Sequence, residues 1–391
     1  MTTAEAAALP ARPLQARFGV STIFFANGFA IGAWAVAIPQ VKALFGLSDG
    51  SLSIVLLIAA AGAMASMPIA GLLTPRFGGT GKTLRVTTPT FALLFALIPL
   101  SHHLSSAFIV VAVAAFAFGM FNSLMDVPMN AHATVVEKAW GAPIMSSFHA
   151  AWSAGGLVGS AVGGWLIHLG ADVFWQIGVE AALALAIAGP WTFLIGVGDK
   201  AAHGQALAWP EGRLLAFGAI AALAMMTEGS VTDWSAIYLK EHLKVAADVA
   251  TIGFVGYASM MLGMRVFGDY VVRTLGRMRT LQVGAAIVAL GVLLVVVTSD
   301  PWSVIAGFWL IGAGVANMVP TVFSASADVG VNASLGIAMT ATVGYAGFLA
   351  GPPIIGGIAQ ATSLRLAFLA VLAAAVAVAG LTRFGEKKAD L

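Results

Sequence analysis

Two acidic residues lie in one apolar stretch of the chain, MTEGSVTDW, which covers residues 226–234. Glu228 and Asp233 belong to an apolar run that extends from about Leu214 to Leu239. In such a run a charged carboxylate is costly, so a dry site favours the protonated acid and a wet site the charged one. An acid of this kind is suited to taking up and releasing protons. The alternative is a protonated or hydrogen-bonded structural acid.

The spacing of these two acids separates their roles. Glu228 is about fifteen residues past the start of its predicted helix, or about 22 Å along it at 1.5 Å per residue. Asp233 follows five residues later, about 140° around the helix, so on an unbroken helix the two cannot face one cavity. Glu228 is therefore predicted to couple protons near the middle of the membrane. Asp233 is predicted to act at the outer rim, as a gating residue or as a helix cap.

A second set of polar residues forms a stripe in another apolar run. Asn122, Asp126 and Asn130 are spaced four residues apart, so they share one face of a helix. A polar stripe that faced lipid would be untenable, so these side chains must face protein or water. We predict that Asp126 handles protons and that Asn122 and Asn130 contact a solute. The alternative is that the amides only hold neighbouring helices together.

Further polar side chains in apolar runs are candidates for contact with the same solute. For each of them, packing within the protein remains the alternative. They are Asn27, His149, Trp152, Asn317 and Tyr345.

Composition identifies the surroundings of these residues. The chain has 391 residues, of which 60% are hydrophobic and only 9% charged, whereas an ordinary soluble domain has about 25% charged residues. The mean hydropathy is +0.95. So few charges cannot cover the surface of a water-soluble protein of this size. The chain is predicted to be an all-α, polytopic membrane protein that contacts the lipid bilayer and no nucleic acid.

The same inspection gives no sign of enzyme chemistry. There are no cysteines, which excludes disulfides and thiolate metal sites. No paired histidines have metal-ligand spacing and no nucleophile has a base on a credible scaffold, and GGTGKT at 78–83 is too short for a phosphate-binding loop. We therefore expect no catalytic residue, no metal and no cofactor.

Twelve apolar runs are long enough to cross a bilayer, which takes about 20 residues. Long unbroken runs such as FIVVAVAAFAFGMF favour helices over the short alternating strands of a membrane barrel. The predicted spans are 16–39, 50–73, 85–101, 105–135, 144–168, 173–196, 213–239, 249–271, 280–298, 302–326, 334–360 and 364–384.

The positions of Lys and Arg predict the orientation of these spans. With a cytoplasmic N-terminus, all but four of the 19 basic residues lie on the cytoplasmic side, Arg265 among them. The four on the outer side are Lys42, Lys240, Lys244 and Arg365. Because an odd number of spans would scramble this pattern, it supports twelve spans with both termini in the cytoplasm.

The chain is predicted to contain two six-helix halves. A polar tail (1–15) precedes the first bundle (16–196), a polar cytoplasmic linker (197–212) joins it to the second bundle (213–384), and a short tail (385–391) follows. Glycines support an internal repeat, because Gly155, Gly159 and Gly164 recur at one common offset. Their counterparts are Gly347, Gly351 and Gly356. Parallel repeats of this kind occur in secondary transporters.

A loop motif is also duplicated. Gly71-LLTPRFGGTGK82 follows the second span, with Thr74-Pro75 at the position of an acid, and Gly268-DYVVRTLGRMR279 follows the eighth. At these residues the chain resembles the major facilitator superfamily over nearly its whole length, and the loop resembles that family's G-x-x-x-D-R-x-G-R-R signature. The second copy keeps an acid, Asp269, and its basic partners Arg273 and Arg277, and these three residues are predicted to form a cytoplasmic gating latch.

Four further stretches carry a closer resemblance, namely DVPMNAHATVVE, FHAAWSAGGLVGSAVGG, EGSVTDW and ATVGYAGFLAGPPIIGG. They resemble a bacterial inner-membrane branch of that superfamily, whose substrates are poorly assigned and which is distantly similar to fucose permease and other sugar permeases. The resemblance implies a rocker-switch carrier with a central site, and we expect a monomer. We expect a proton-coupled secondary transporter of a small polar solute, such as a sugar or related metabolite. The alternative is a proton-driven exporter of amphipathic or cationic compounds.

Overall fold

The computed structural model describes residues 13–47, 49–105, 107–196, 212–245, 247–329 and 333–385. Almost all of these residues are helical, and this part of the chain contains no strand. Most of the predicted N-terminal tail, linker and C-terminal tail lies outside the described residues.

Fifteen α-helices follow one another along the described part of the chain. They are α1 (Leu14–Leu44), α2 (Asp49–Arg76), α3 (Thr80–Leu100), α4 (Phe108–Trp140), α5 (Met145–His168), α6 (Val173–Ala188), α7 (Arg213–Ile237), α8 (Ala247–Val266), α9 (Gly268–Leu275), α10 (Arg277–Val297), α11 (Pro301–Val315), α12 (Met318–Ser326), α13 (Ala333–Ala361), α14 (Leu364–Ala367) and α15 (Leu369–Gly385). A π-helical segment, Tyr238–His242, extends α7.

The helices are those of a polytopic membrane protein. Within the described residues, 11 helical segments are long and apolar enough to cross a bilayer, and a shorter apolar helix covers Ile252–Val266. This shorter helix falls where the eighth span was predicted, so each predicted span has a helical counterpart. The predicted all-α, multi-span architecture is confirmed; the orientation of the termini stays a prediction.

Two compact units make up the fold. Unit 1 contains the described parts of Met1–Ala142, Phe148–Ala208 and Gly330–Ala338. Unit 2 contains the described parts of Pro143–Ser147, Trp209–Val329 and Met339–Leu391.

In unit 1, glycines bring α1 and α5 into backbone contact. A Cβ atom on Gly28 would overlap the carbonyl group of Trp152, and Cβ atoms on Gly155 and Gly159 would overlap the carbonyls of Phe25 and Phe29. Small residues at such positions let membrane helices approach closely. The side chains of Asn27 on α1 and Trp152 on α5 are thereby held within reach of each other.

Unit 2 repeats this packing with α7 and α13. A Cβ atom on Gly347 would overlap the carbonyl of Ala222, and one on Gly351 would lie 3.0 Å from the carbonyl oxygen of Met226. The third glycines of the repeat differ, because Gly164 has open space around it whereas Gly356 packs against the ring of Trp234. The internal repeat seen in the sequence thus corresponds to equivalent helix crossings in the two units.

Two predicted spans are broken in the structure. The eighth span, predicted as 249–271, is interrupted at Phe267 between α8 and α9, and the tenth, predicted as 302–326, at Ala316–Asn317 between α11 and α12. Pro320 explains the second break, because proline has no N–H for the carbonyl four residues earlier and its ring crowds that carbonyl. That carbonyl belongs to Ala316, which is left in need of another donor.

Candidate functional site

In unit 1, three of the predicted solute-contact residues form one hydrogen-bonded chain across α5, α1 and α4. Trp152 Nε1 donates to Asn27 Oδ1 at 2.9 Å. Asn27 Nδ2 in turn donates to Asn122 Oδ1 at 3.0 Å. Asn27 is 2% exposed, so its amide is matched on both sides, as a buried polar group must be.

A second chain in unit 1 contains the acid of the α4 stripe. Asn130 Nδ2 donates to Asp126 Oδ1 at 3.1 Å and to the Asp126 carbonyl oxygen at 3.0 Å. His149 Nε2 lies 3.1 Å from Asn130 Oδ1; because the amide oxygen can only accept, that nitrogen carries the hydrogen. The order of donors is therefore His149 to Asn130 to Asp126. Asp126 is 9% exposed, and in the described part of the chain no cation forms an ion pair with it.

His132, on the same helix, was not singled out from the sequence. Its Nε2 lies 2.9 Å from the Ile195 carbonyl oxygen and its Nδ1 2.7 Å from Thr80 Oγ1. The carbonyl requires a hydrogen on Nε2, so Nδ1 of the neutral ring accepts the Thr80 hydroxyl. His132 thereby ties α4 to the start of α3 and to the segment after α6, which is a structural role.

In unit 2, Glu228 has a partner that the sequence reading did not foresee. Arg265 Nη2 lies 3.3 Å from Glu228 Oε1, with 4% of the arginine side chain and 19% of the glutamate side chain exposed. Arg265, which the sequence places among the cytoplasmic-side charges, lies in the last turn of α8, and its side chain is buried.

The two helix breaks of unit 2 lie side by side, and a side chain beside each break donates a hydrogen bond to a backbone carbonyl beside the other. Arg265 Nε donates to the Ala316 carbonyl oxygen at 3.0 Å, which is the carbonyl that Pro320 cannot serve. Asn317 Nδ2 donates to the Met264 carbonyl oxygen at 2.9 Å, in the last turn of α8. Asn317, a predicted solute contact, and Arg265 are therefore fixed by the same pair of breaks.

Two buried polar atoms beside this pair have no protein partner. They are Asn317 Oδ1 and the hydroxyl of Tyr257. Tyr257 is 2% exposed and lies close enough to Glu228 and Arg265 to interact electrostatically with both. Of the other predicted residues of unit 2, Tyr345 is half-buried on α13 and Asp233 is exposed near the end of α7.

The predicted latch residues make separate contacts. Asp269 Oδ1 accepts the backbone N–H of Ser147, in the first turn of α5, at 3.0 Å. Arg277 pairs with Asp328 at 2.7 Å, and the Arg273 guanidinium lies 5.8 Å from the centre of the Tyr270 ring. In the other copy of the motif, Pro75 stands at the acid position, and the hydroxyl of the neighbouring Thr74 donates to the Ala70 carbonyl of its own helix, at 2.7 Å.

The sequence of this chain matches a known protein family. The model of the Major Facilitator Superfamily matches residues 20–342. The chain belongs to the Major Facilitator Superfamily. Members of this superfamily are transporters and not enzymes, so the chain is a secondary transporter that moves a small-molecule substrate across a membrane.

Relatives within the superfamily extend over nearly the whole chain. An uncharacterized MFS-type transporter of Yersinia pestis is 35% identical, over 92% of this chain and 93% of the relative. An uncharacterized transporter of Sinorhizobium fredii is 34% identical, over 92% of this chain and 96% of the relative.

A solved structure with the same superfamily fold is that of the Escherichia coli fucose:proton symporter FucP. It superposes with a TM-score of 0.77 at 14% identity, over 97% of this chain and 100% of that one. At this identity the likeness describes the fold. The predicted resemblance to the superfamily is confirmed by the family model and by the relatives.

Proposed function

We propose that this superfamily member is a proton-coupled transporter of a small polar organic solute, a sugar or related metabolite, that acts as a monomer in a bacterial inner membrane. The observation that carries the proposal is the chain from His149 through Asn130 to Asp126. It places a buried carboxyl beside a neutral amide donor instead of a fixed cation. Such an acid is stable without its charge in a dry site and can lose its proton when water enters.

Glu228 is the second proposed titrating group. Its ion pair with Arg265 makes its charged form less costly than that of Asp126, so in this proposal Asp126 is the first proton carrier. The amides of Asn27 and Asn122, with the Trp152 indole, supply the neutral hydrogen-bonding groups that a polar solute requires. Asn317 and Tyr345 are the corresponding candidates in unit 2.

A ligand screen tests the solute class. The purified protein is heated with sugars, organic acids, amino acids and lipophilic cations in turn, and a ligand that binds the native state raises the melting temperature by mass action. Stabilisation by sugars or related polar metabolites supports the proposal. Stabilisation only by lipophilic cations would instead identify an exporter of amphipathic compounds.

Charge removal at Asp126 tests the coupling. Asp126→Asn keeps the shape and the hydrogen bond to Asn130 but cannot carry a proton. In proteoliposomes it should retain solute exchange between the two sides and lose accumulation driven by a pH gradient; Glu228→Gln should also lose accumulation.

Glu180→Gln is the matched control, because Glu180 is another fully buried acid of unit 1, bonded to Gln176 at 3.3 Å and not part of either chain. It should accumulate solute like the wild type. Accumulation at the wild-type rate by Asp126→Asn would remove Asp126 from the coupling mechanism.

A further inference from the structure

Four side chains of unit 2, which we term the Arg265 cluster, comprise Arg265, the two groups that interact with its charge, and the amide at the adjoining α11–α12 break. They are Glu228, Tyr257, Arg265 and Asn317. Some of their hydrogen-bonding groups have no partner within the protein. The chemistry of these groups indicates what kind of ligand would complete the cluster.

Arg265 is held firmly in place. Its Nε–H is committed to the Ala316 carbonyl, and its residue is 3% exposed. A buried guanidinium without a counter-charge would be strongly destabilising. The cluster therefore needs one negative charge beside Arg265 at every stage at which it is dry.

Glu228 supplies that charge through a weak contact. The Nη2 to Oε1 distance is 3.3 Å, whereas charge-assisted N–H to O bonds usually measure about 2.7–2.9 Å. Glu228 is also the more accessible partner, with 19% of its side chain exposed. Because the contact is long and the Glu228 carboxylate is accessible, the site is suited to replacement of that carboxylate by another anion beside Arg265.

The two unpartnered groups require that a ligand of this cluster also carries polar groups. Buried side-chain polar atoms nearly always have a partner, so a Tyr257 hydroxyl and an Asn317 Oδ1 without one call for an explanation. The hydroxyl can donate to a negatively charged oxygen. The amide oxygen can only accept, so it requires a donor such as a hydroxyl or an amine.

We propose that the Arg265 cluster binds a small organic anion, a carboxylate that also carries a hydroxyl or amine group, in exchange for the charge of Glu228. A proton from solution forms an O–H bond on the Glu228 carboxylate, and the substrate carboxylate takes its place beside Arg265. Tyr257 donates to that carboxylate, and Asn317 Oδ1 accepts from the substrate hydroxyl or amine. No covalent bond of the substrate changes.

This proposal rests on the proposed function and narrows its substrate class to hydroxylated or aminated acids, such as sugar acids. Within the described part of unit 2, Glu228 interacts electrostatically with Arg265 and Tyr257, both from α8. Proton uptake linked to anion binding is therefore assigned to Glu228.

The test compares charged and uncharged probes on the full-length protein. The probes are D-glucuronate, D-gluconate and L-glutamate, with D-glucose and myo-inositol as uncharged counterparts. Titration calorimetry in buffers of different ionisation enthalpy measures the protons taken up per bound probe. The wild type should bind at least one of the three anions with uptake of one proton, and its affinity should fall about tenfold per pH unit where Glu228 titrates.

Variants separate the roles within the cluster. Glu228→Gln should bind the same anion without proton uptake and with little pH dependence. Because Arg265→Gln alone leaves Glu228 buried without its partner, the double variant Glu228→Gln/Arg265→Gln is the folding-safe test of the guanidinium; it should lose anion binding at least tenfold. Arg76→Gln removes an exposed positive charge of α2 and should bind as the wild type does.

Each contrary outcome has a distinct meaning. Undiminished anion binding by the double variant, or proton uptake that persists in Glu228→Gln, overturns the Arg265 proposal. Binding of glucose or inositol with no binding of the three anions also overturns it and leaves the proposed transport of a polar solute standing. Absence of pH-driven accumulation for every solute in the proteoliposome assay contradicts the proposed function itself.

Discussion

At the scale of single residues, Asp269 contacts the start of α5. Its carboxylate accepts the N–H of Ser147, one of the N-terminal amides that have no partner within the helix. A negative charge is favourable at a helix N-terminus. Gly268 permits this contact, because a Cβ atom there would overlap Ser146 and Asn317.

Asp269→Asn should loosen this contact. A hydrogen bond to a charged group is worth about 1.5–3 kcal/mol and a neutral one about 1 kcal/mol, so the variant loses about 1 kcal/mol or roughly fivefold in the local opening equilibrium. Ser146 is 2% exposed and the chain has no cysteines. A Ser146→Cys reporter should therefore react with a maleimide several times faster when Asp269→Asn is added.

Arg273→Gln is the control, because that guanidinium lies against Tyr270 at the surface. If it accelerates labelling as much as Asp269→Asn, Asp269 and Arg273 act together. Equal labelling in all three backgrounds means that Asp269 is not a latch.

At the scale of helices, glycine positions decide how closely α5 approaches α1. Gly159 and Gly164 lie on the same helix but in different surroundings. A Cβ atom on Gly159 would overlap the Phe29 carbonyl, whereas one on Gly164 would meet nothing within 4 Å. The pair thus separates the effect of close packing from that of glycine as a helix residue.

Gly159→Ala should lower the melting temperature of the purified protein, because forced overpacking commonly costs about 1–3 kcal/mol. Gly164→Ala should leave it unchanged or raise it, since alanine is favoured over glycine in a helix by about 1 kcal/mol. Differential scanning fluorimetry of the two variants measures the contrast. An equal loss of stability in both would mean that these glycines serve backbone flexibility instead of contact.

At the scale of the whole molecule, the distribution of basic residues predicts the orientation in the membrane. The bias does not depend on the buried Arg265, because without it the predicted cytoplasmic side still has 14 basic residues against four on the outer side. Arg365 among them is anchored by hydrogen bonds to Tyr238 Oη at 3.3 Å and to the Thr298 carbonyl at 3.1 Å.

Single cysteines introduced into the cysteine-free chain test this orientation. On intact cells a membrane-impermeant maleimide should label Leu104→Cys and Val297→Cys, which replace residues that are 84% and 78% exposed. Phe77 lies between α2 and α3 and Thr274 lies in α9, and both residues are exposed. Phe77→Cys and Thr274→Cys, on the predicted cytoplasmic side, should react only after the membrane is permeabilised. The reverse pattern would place both termini outside.

Features encoded by short stretches of sequence were predictable. Apolar runs of membrane length identify spans because each helix must satisfy its own backbone in lipid. The four-residue spacing of Asn122, Asp126 and Asn130 places them on one helix face, and the structure joins two of them in one hydrogen-bonded chain and the third in another. The repeated glycines likewise predicted an internal repeat, and the structure shows equivalent helix crossings at them.

Contacts between distant parts of the chain were decided only by the tertiary structure. Arg265, near the end of an apolar run, is indistinguishable in sequence from a loop charge, and its pairing with Glu228 depends on how α8 packs against α7. Pro320 ends the α11 hydrogen-bond ladder locally, but nothing local shows that the guanidinium of Arg265 fills the vacated bond to Ala316. Helix periodicity is a property of neighbouring residues, whereas the partner of a buried charge is chosen by the packing of whole helices.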